Sequence, residues 1–276
     1  MQITIKSKDQ IAKMRSAGRI VAEVLGLMEE SLKPGISTAE LDRLADRHIR
    51  ASGGTPSFVG YLAATGTYDP GDPKAYPAAT CISIDHEIVH GIPGDREIKA
   101  GQVVSVDVGA IFDGWHGDGA RTFICGGEAA GTAAAVALVR TTRLSLMAGI
   151  AAATPGNRIG DISAAVEDVA VAGGFGIIRG YGGHGIGTSM HEPPHILNFR
   201  TRDPGMKLVP GHCLASSRCW SWAARRPASS QTDGPSSPPT SRWPPISSTP
   251  SRSQPMVPRS SRRSPGERGV VESGHV

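Results

Sequence analysis

The segment of the sequence with the clearest capacity for chemistry is VVSVDVGAIFDGWHGDGARTF, residues 103–123. Valines alternate there with polar or small residues, a pattern that predicts a half-buried β-strand. Asp113-Gly114 is a favoured pair for a type I′ turn, so the segment is predicted to fold back as a hairpin in which Asp107 faces Ala120. Asp107 and Asp118 then lie diagonally on one face, with Cα atoms about 7–8 Å apart.

Two carboxylates in that arrangement repel each other unless a proton or a cation lies between them. Carboxylates combined with a histidine suit divalent metals, and a shared carboxylate pair suits a two-metal site. The alternative is a solvated acidic hairpin, which is the commoner outcome for aspartate-rich hairpins in general.

Three histidines lie in glycine-rich segments that allow the backbone to approach a ligand closely: His90 in IVHGIPG, His184 in GGHGIG and His191 in MHEPPHI. His184 is a candidate metal ligand. His90 and His191 are candidates for hydrogen bonding to a substrate carbonyl or a developing oxyanion. A single histidine is more often a core or surface residue, and four others are interpreted in that way: His86, His116, His195 and His212.

These residues are positioned by helices and strands that occur in two similar series. In the first, a capping box at Ser7-x-x-Gln10 begins a helix that ends at Pro34-Gly35, and a second helix begins at Ser37 or Thr38. That helix ends at Gly53-Gly54.

The series recurs about 120 residues later. A helix from about 131 to 153 ends near Pro155-Gly156, and the next ends at Gly173-Gly174. This repetition predicts an α+β body with two similar halves, and any site is expected in the cleft between them.

Composition limits the classes that remain. The 276 residues are 39% hydrophobic and 20% charged, with 35 glycines and 21 prolines. No continuous apolar run approaches the ~18 residues of a membrane span, and the N-terminus lacks a signal-peptide core. The four cysteines have neither CxxC spacing nor a disulfide framework, which fits a reducing compartment. We therefore expect a cytoplasmic protein without a membrane partner.

Residues 216–276 differ from the rest, with 16 Ser, 10 Pro, 9 Arg, three acidic residues and neither Leu nor Phe. A segment of this composition cannot bury a core and is predicted to be disordered. Its positive charge raises nucleic-acid binding as an alternative. The domain assignment is accordingly a catalytic body over 1–215 and a tail over 216–276.

The body resembles the type I methionine aminopeptidases, which have the pita-bread fold of two pseudo-symmetric α/β halves around a dimetal cleft. The resemblance covers nearly all of residues 1–215. The strings that carry it are PSFVGY (56–61), YPAATCIS (76–83), VHGIPGDREIKAGQVVSVDVGAIFDGWHGDGARTF (89–123), GYGGHGIGTSMHEPPHI (180–196) and MKLVPGHCLA (206–215).

The resemblance implies that Asp107 chelates one metal, Asp118 bridges two and His184 binds the second. A metal-bound hydroxide then attacks the first peptide bond after an N-terminal methionine, and His90 and His191 contact the substrate. The methionine pocket is implied to be formed by Phe58, Tyr61, Tyr76, Cys81 and Met190. An apolar slot of this kind suits an unbranched, polarizable thioether.

The resemblance also implies the partners and cofactors. The substrates are nascent polypeptides with a small second residue, the ribosome is a possible partner, and the enzyme is expected to be a monomer without membrane or specific nucleic-acid partners. Two divalent ions are implied, and cobalt, manganese, iron and zinc all tolerate the ligand set.

The sequence departs from the family in two places. Residues 62–75 form a longer loop between Tyr61 and Tyr76 than the family has, which either alters the pocket rim or has no effect. The family also needs two further glutamates as metal ligands, one in an I-E-P strand directly after GHCLA and one in an H-F-E-H-T strand. Here Ala215 is followed by SSRCW, and neither glutamate is present.

A shifted reading frame explains the second departure. SSRCWSW (216–222) can be encoded by TCG AGC CGA TGC TGG TCC TGG, and for that choice of codons one A placed before them gives Ile-Glu-Pro-Met-Leu-Val-Leu. The same shift applied to residues 244–255 allows a His-Phe-Glu-His-Thr string. We therefore interpret the tail as frameshifted after Ala215, which also accounts for its arginine and proline content.

Ligand counting then predicts impaired metal binding and negligible activity for the chain as written. Two alternatives remain open. One is a catalytically dead pita-bread module that binds peptides or proteins. The other is a related proline-specific or creatine-cleaving hydrolase.

Overall fold

The computed structural model describes residues 3–216 and 220–221. The first half contains α1 (Lys8–Ser31), α2 (Thr38–Ala51), β1 (Thr55–Pro56), β2 (Tyr61–Leu62), β3 (Thr67–Tyr68), β4 (Thr80–Ile84), β5 (Val103–Phe112) and β6 (Trp115–Ile124). After a short 3₁₀ turn at Glu128–Ala130, the second half contains α3 (Ala133–Ala152), α4 (Ile159–Ala172), β7 (Gly176–Ile177), β8 (Gly182–Gly185), β9 (Glu192–Leu197), β10 (Leu214–Ala215) and β11 (Trp220–Ser221). The predicted disorder of the 216–276 tail concerns residues that lie almost wholly outside the described part of the chain.

The helix boundaries follow from local capping. Ser7 and Gln10 form the expected capping box at the start of α1. At the start of α2 the cap is Ser37, whose hydroxyl accepts from the Glu40 amide while Glu40 reaches back to the Ser37 amide. Each reciprocal pair satisfies backbone donors that a helix start leaves free.

The first half is built around the long central strand β5. It pairs with β6 on one side and with β4 and β1 on the other, all antiparallel. The predicted register is confirmed, because Asp107 faces Ala120 and Gly109 faces Asp118. Asp113 and Gly114 at the turn have φ angles of 50° and 77°, and a type I′ turn requires positive φ at both of its central residues.

One large apolar core supports this sheet. It comprises buried side chains of α1, α2 and the strands, among them Val24, Met28, Leu41, Ile84 and Val106, none of them more than 1% exposed. Helix α1 lies against the sheet so closely that a Cβ on Gly117 would come within 2.6 Å of the α1 backbone. The site-bearing strands β5 and β6 therefore rest on a rigid support.

The second half repeats the backbone pattern of the first. The Gly35 amide donates to the carbonyl of Ile98 at 2.8 Å, and Gly156 donates in the same way to Leu208 at 3.1 Å. The isolated bridge between Ser37 and Glu97 likewise has its counterpart, between Arg158 and Lys207. The expected duplication is present at the level of individual hydrogen bonds.

The second core is much smaller than the first. Its buried members are Ile159, Ile162, Ile196 and Leu208. Helix α3 buries only Ala135, Ser145 and Gly149, while Leu144 is 61% and Met147 47% exposed. By length and composition α3 also meets the criteria for a membrane-spanning helix, with a mean hydropathy of 1.3. Arg140 and Arg143 interrupt its apolar run, and one such helix is weak evidence for a membrane span.

The N-terminal segment is joined to the second half by Lys6. Its ammonium forms a 2.5 Å ion pair with Glu192, and both side chains are largely buried. Its backbone amide also donates to the carbonyl of Gly211 at 2.8 Å. The chain start therefore contacts elements close to the end of the described residues.

Candidate active site

The two candidate carboxylates lie where the sequence predicted, on adjacent strands. Asp107 is on β5 and Asp118 on β6, and the register places both on the same sheet face. Cys81 on β4 is directly opposite Asp107. Side chains at paired positions of antiparallel strands project from the same face, so Cys81 borders the carboxylate pair.

The electrostatics of the pair are unfavourable without a counter-charge. Burial and the neighbouring Asp118 charge raise the pKa of Asp107 well above its ordinary value. One carboxylate oxygen of Asp118, Oδ1, is buried and has no hydrogen-bond partner among the described residues. A buried polar atom without a partner costs about 1–3 kcal/mol, so a cation or proton at this point would stabilise the pair.

His184, on β8, joins this pair. Its Nδ1 is 2.9 Å from the carbonyl of Gly185 and its Nε2 is 3.6 Å from Asp118 Oδ2. Burial opposes protonation of His184, but the hydrogen bond and charge of Asp118 outweigh it and raise the pKa of the imidazole. A neutral His184 that donates through Nδ1 to the carbonyl would present Nε2 toward Asp118 as a ligand atom.

His191 lies next to His184 and contacts the ring of Tyr61. The two imidazole rings are 4.3 Å apart between centroids, and His191 Nδ1 lies 2.5 Å from the hydroxyl of Tyr61. Burial, with His184 as the next cause, lowers the pKa of His191 to about 4. His90 also disfavours protonation of His191 through its charge. His90 has a positive φ of 61°, and the centroid of its ring lies 6.1 Å from that of Tyr181.

The predicted methionine-pocket residues form one buried cluster. Five of its six members are the predicted ones, and Ala78 is the sixth: Phe58, Tyr61, Tyr76, Ala78, Cys81 and Met190. We call this set the apolar pocket. It touches the polar residues at two points, since Tyr61 bonds to His191 and Cys81 lies opposite Asp107. The Tyr76 hydroxyl donates to the carbonyls of Thr80 and Gly91, which ties the pocket to the segment after His90.

The donor set is chemically suited to a divalent cation but is incomplete. Carboxylate oxygens and one imidazole are ligands that such ions accept, and the orphaned oxygen of Asp118 is an unused donor atom. Within residues 3–216 and 220–221, however, no group of three or more His, Cys, Asp or Glu side chains is placed to hold a metal ion.

Two residues beside the site were not among the predicted site residues. His116, interpreted as structural or surface, is buried and lies 3.0 Å from the Ser57 hydroxyl. Its ring also stacks on Tyr68, the one aromatic residue of the 62–75 loop. An aromatic residue within an insertion between two pocket tyrosines was the available signal.

Residues 12–219 match the family model described as metallopeptidase family M24. Similar curated proteins include the methionine aminopeptidase of Clostridium acetobutylicum, 42% identical over 77% of this chain and 80% of the relative. Methionine aminopeptidase 1 of Mycobacterium tuberculosis is also 42% identical, over 76% of each chain.

Solved structures give the same result. The methionine aminopeptidase of Thermotoga maritima is 36% identical with a TM-score of 0.70, over 77% of this chain and 80% of that one. The prolidase of Pyrococcus furiosus, at 20% identity and a TM-score of 0.59, shares the fold over 77% of this chain and 60% of its own. The fold is therefore the pita-bread fold expected from the sequence.

Proposed function

Because this chain belongs to metallopeptidase family M24 and is by family a methionine aminopeptidase, we propose that its gene encodes an enzyme that removes the N-terminal methionine from nascent proteins. The reaction is hydrolysis of the first peptide bond, in the cytoplasm, on chains with a small second residue. Divalent metal ions are the cofactors implied by the family.

The observation that carries this proposal is the apolar pocket, which touches the polar groups at both Tyr61 and Cys81. Its members include the thioether Met190 and two edge-to-face aromatic rings, Phe58 and Tyr76, 6.2 Å apart. A flexible thioether side chain fills such an irregular apolar space well. A residue seated there would have its own carbonyl near His191, because the pocket residue Tyr61 is hydrogen-bonded to His191.

The polar residues divide into two roles. Asp107, Asp118 and His184 would hold the metal, whose chemistry is to polarise a carbonyl and to lower the pKa of a coordinated water. His191 is neutral at neutral pH because its pKa is about 4. If the Tyr61 hydroxyl donates to Nδ1, then Nε2 carries the proton and donates to the substrate oxygen. His90 contacts the substrate beside it.

We further propose that the chain as written is impaired and that its reading frame changes after Ala215. Support comes from the repeat between halves. Glu97 pairs with Ser37 in the first half, and Lys207, 110 residues after Glu97, makes the equivalent pair in the second half. In the same way Ala110 pairs with β1, and Trp220, again 110 residues later, pairs with β7. The same interval relates Asp107 to residue 217, which is serine here and is glutamate in the shifted frame for the codons given above.

A second argument for the frame does not depend on codon choice. Cysteine and tryptophan codons both begin with TG, so the shifted frame converts position 220 to leucine whatever codon encodes Cys219. Positions 219 and 222 become leucine, methionine or valine for the same reason. The shifted segment is therefore apolar, as a strand packed on the small second core has to be.

The test compares two purified proteins, the 276-residue chain of confirmed mass and the product of the gene with one nucleotide inserted at codon 216. Each is incubated with Mn²⁺ or Co²⁺ and a Met-Ala-Ser peptide, and free methionine is measured. We expect release by the frame-restored protein and at least about 10²-fold slower release by the chain as written.

Equal release by both proteins would contradict the impairment. Release by neither would refute the aminopeptidase proposal and favour a peptide-binding module. A parallel X-Pro dipeptide distinguishes the proline-specific alternative, because a proline-specific hydrolase would cleave it in preference to Met-Ala-Ser.

A further inference from the structure

The 62–75 loop leaves the body and returns to it at two residues of the apolar pocket. Where the two ends of the loop meet, the Tyr76 amide donates to the carbonyl of Tyr61 at 3.0 Å, and the Gly60 amide donates to the carbonyl of Tyr76 at 2.9 Å. The two pocket tyrosines therefore stay joined whatever the length of chain between them. The loop thus begins and ends at residues that form the pocket.

The first part of the 62–75 loop forms a hairpin. Strands β2 and β3 pair antiparallel, with Tyr61 opposite Tyr68. The Asp69 amide donates to the Gly60 carbonyl at 2.8 Å, and Pro70 covers Gly60 so closely that a Cβ there would meet Pro70 Cγ at 2.8 Å. The hairpin is thus folded back onto the pocket rather than extended into solvent.

Tyr68 is the side chain that the hairpin places against the site. Its ring lies 5.3 Å from that of Tyr61 and stacks on His116 at 6.4 Å. Its hydroxyl donates to the carbonyl of Ser57 at 2.9 Å, and Ser57 is fully buried. Burial raises the pKa of the Tyr68 phenol to about 12, so the hydroxyl stays a donor at physiological pH.

These contacts form a continuous row of rings from the loop to the reacting groups. Tyr68 contacts Tyr61, Tyr61 contacts His191, and His191 contacts His184. The apolar pocket is buried, whereas Tyr68 is 42% exposed on the solvent side of Tyr61. If the first side chain of a peptide fills the buried pocket, the rest of the peptide has to extend toward solvent, and Tyr68 is the exposed ring beside the pocket residue Tyr61.

We propose that Tyr68 is a specificity-determining residue that borders the space for the second residue of the substrate and strengthens the preference for a small side chain there beyond what the family shows without this loop. This inference rests on the proposed function and assigns a role to a loop insertion. This border is rigid because the hydroxyl is anchored to Ser57 and the ring is held between Tyr61 and His116.

The test measures peptide affinity rather than turnover, so that it can use the full 276-residue chain. Dye-labelled peptides beginning Met-Ala-Gly, Met-Leu-Gly and Gly-Ala-Gly are titrated with protein in buffer containing Mn²⁺, and Kd is obtained from fluorescence anisotropy. The variants are Tyr68→Ala and Tyr68→Phe, together with a protein in which residues 62–75 are replaced by two glycines. Leu144→Ala, on exposed α3, is the remote control.

The parent chain is expected to bind the Met-Ala peptide about tenfold more tightly than the Met-Leu peptide. Tyr68→Ala and the loop replacement should reduce that ratio to about threefold or less, while Leu144→Ala keeps it. Tyr68→Phe loses only the anchor to Ser57 and keeps the ring between Tyr61 and His116, so its ratio should lie between those of the parent and Tyr68→Ala. The preference for Met-Ala over Gly-Ala should be retained in all of them, since it belongs to the pocket.

Two results would overturn the inference in distinguishable ways. If Tyr68→Ala and the loop replacement both keep the parent ratio, Tyr68 has no part in specificity and the proposed function is unaffected. If the parent itself does not prefer Met-Ala over Gly-Ala, the pocket assignment in this chain fails and the inference fails with it, whereas the proposed function is decided separately by methionine release from the frame-restored protein.

Discussion

Asp118 is the residue at which the site is least satisfied. One of its oxygens has no partner among the described residues, and the other is 3.6 Å from His184. Nearby, the pKa of Asp107 is raised by burial and by the Asp118 charge. Burial therefore disfavours full ionisation of this carboxylate pair, and a bound cation should stabilise the fold as well as the site.

The first prediction concerns that cation. Excess Mn²⁺ should raise the melting temperature of the parent by about 2–4 °C for each kcal/mol of binding free energy, and Asp118→Asn should remove most of the increase. Asp113→Asn is the matched control, because Asp113 lies in the same hairpin but is exposed and paired with Lys13. An equal metal-induced increase in Asp118→Asn, measured by thermal shift, would contradict the assignment.

The second prediction concerns pH and a residue outside the site. Burial raises the pKa of Asp42, against the opposing hydrogen bonds that its carboxylate accepts from Thr80. Because the folded state then binds this proton more tightly than the unfolded state, its contribution to stability is present at low pH. That contribution is lost as the pH rises through the folded-state pKa.

Asp42→Asn removes this titration. The difference in unfolding free energy, parent minus variant, should therefore fall as the pH rises from about 4 to about 7, and urea denaturation at several pH values measures it. A difference that is constant or rises with pH would show that the folded-state pKa is not raised.

The sequence predicted some of the site residue by residue and could not predict the rest. Asp107 and Asp118 were placed correctly because a two-residue turn fixes the hairpin register. The approach of His191 to His184 was not predictable in the same way, since β8 and β9 pair with a register shift after His184. Tyr68 was missed because its contacts come from the fold-back of a loop that has no periodicity.

At the scale of elements, helix α1 and strand β6 approach each other at a glycine. A Cβ on Gly117 would lie 2.6 Å from backbone atoms of both Ala17 and Gly18. Gly117 immediately precedes Asp118, so the closeness of this packing also fixes the position of a site residue. Gly26, in the middle of α1, has no atom within 4 Å of its Cβ position.

This contrast gives a third prediction with a built-in control. Gly117→Ala should lower the unfolding free energy by about 1–3 kcal/mol, because α1 has to shift away from the sheet. Gly26→Ala should raise it by about 0.5–1 kcal/mol, because alanine favours an open helical position. Urea denaturation of both variants checks the pair, and destabilisation by Gly26→Ala would count against the packing described for α1.

The four α-helices within the described residues could be predicted from the sequence, whereas several strands could not. The helices carry caps such as Ser7 and Ser37 and apolar residues at helical spacing over many turns. Strands β1 and β7 have only two residues each, too few for any alternation to be seen. Their positions follow from pairing with distant strands, which a local pattern does not encode.

At the scale of the whole molecule, the two halves repeat each other in backbone but not in burial. Helix α1 contributes fully buried side chains such as Val24 and Met28 to the large first core. Helix α3 leaves Leu144 and Met147 exposed. The second half therefore contributes less apolar burial to stability. In the first half α1 packs against long strands, and among the described residues no equally long strands cover α3.

The fourth prediction follows from this imbalance. In hydrogen exchange of the 276-residue chain, amides of α3 should exchange at least about tenfold faster than those of α1. Leu144→Ser should leave the melting temperature nearly unchanged and reduce self-association, whereas Val24→Ser should destabilise strongly. Equal protection of the two helices would show that something covers α3 and would remove this argument for a missing strand pair.

The buried pairing of Lys6 with Glu192, and of its amide with Gly211, has a consequence for the order of events during synthesis. Residue 6 leaves the ribosome early, but its partners are translated roughly two hundred residues later. The core of the first half draws only on residues 20–125 and can assemble while translation continues. The segment around Lys6 therefore cannot form these contacts until nearly all of the described chain has been synthesised. Its docking is a late step in folding.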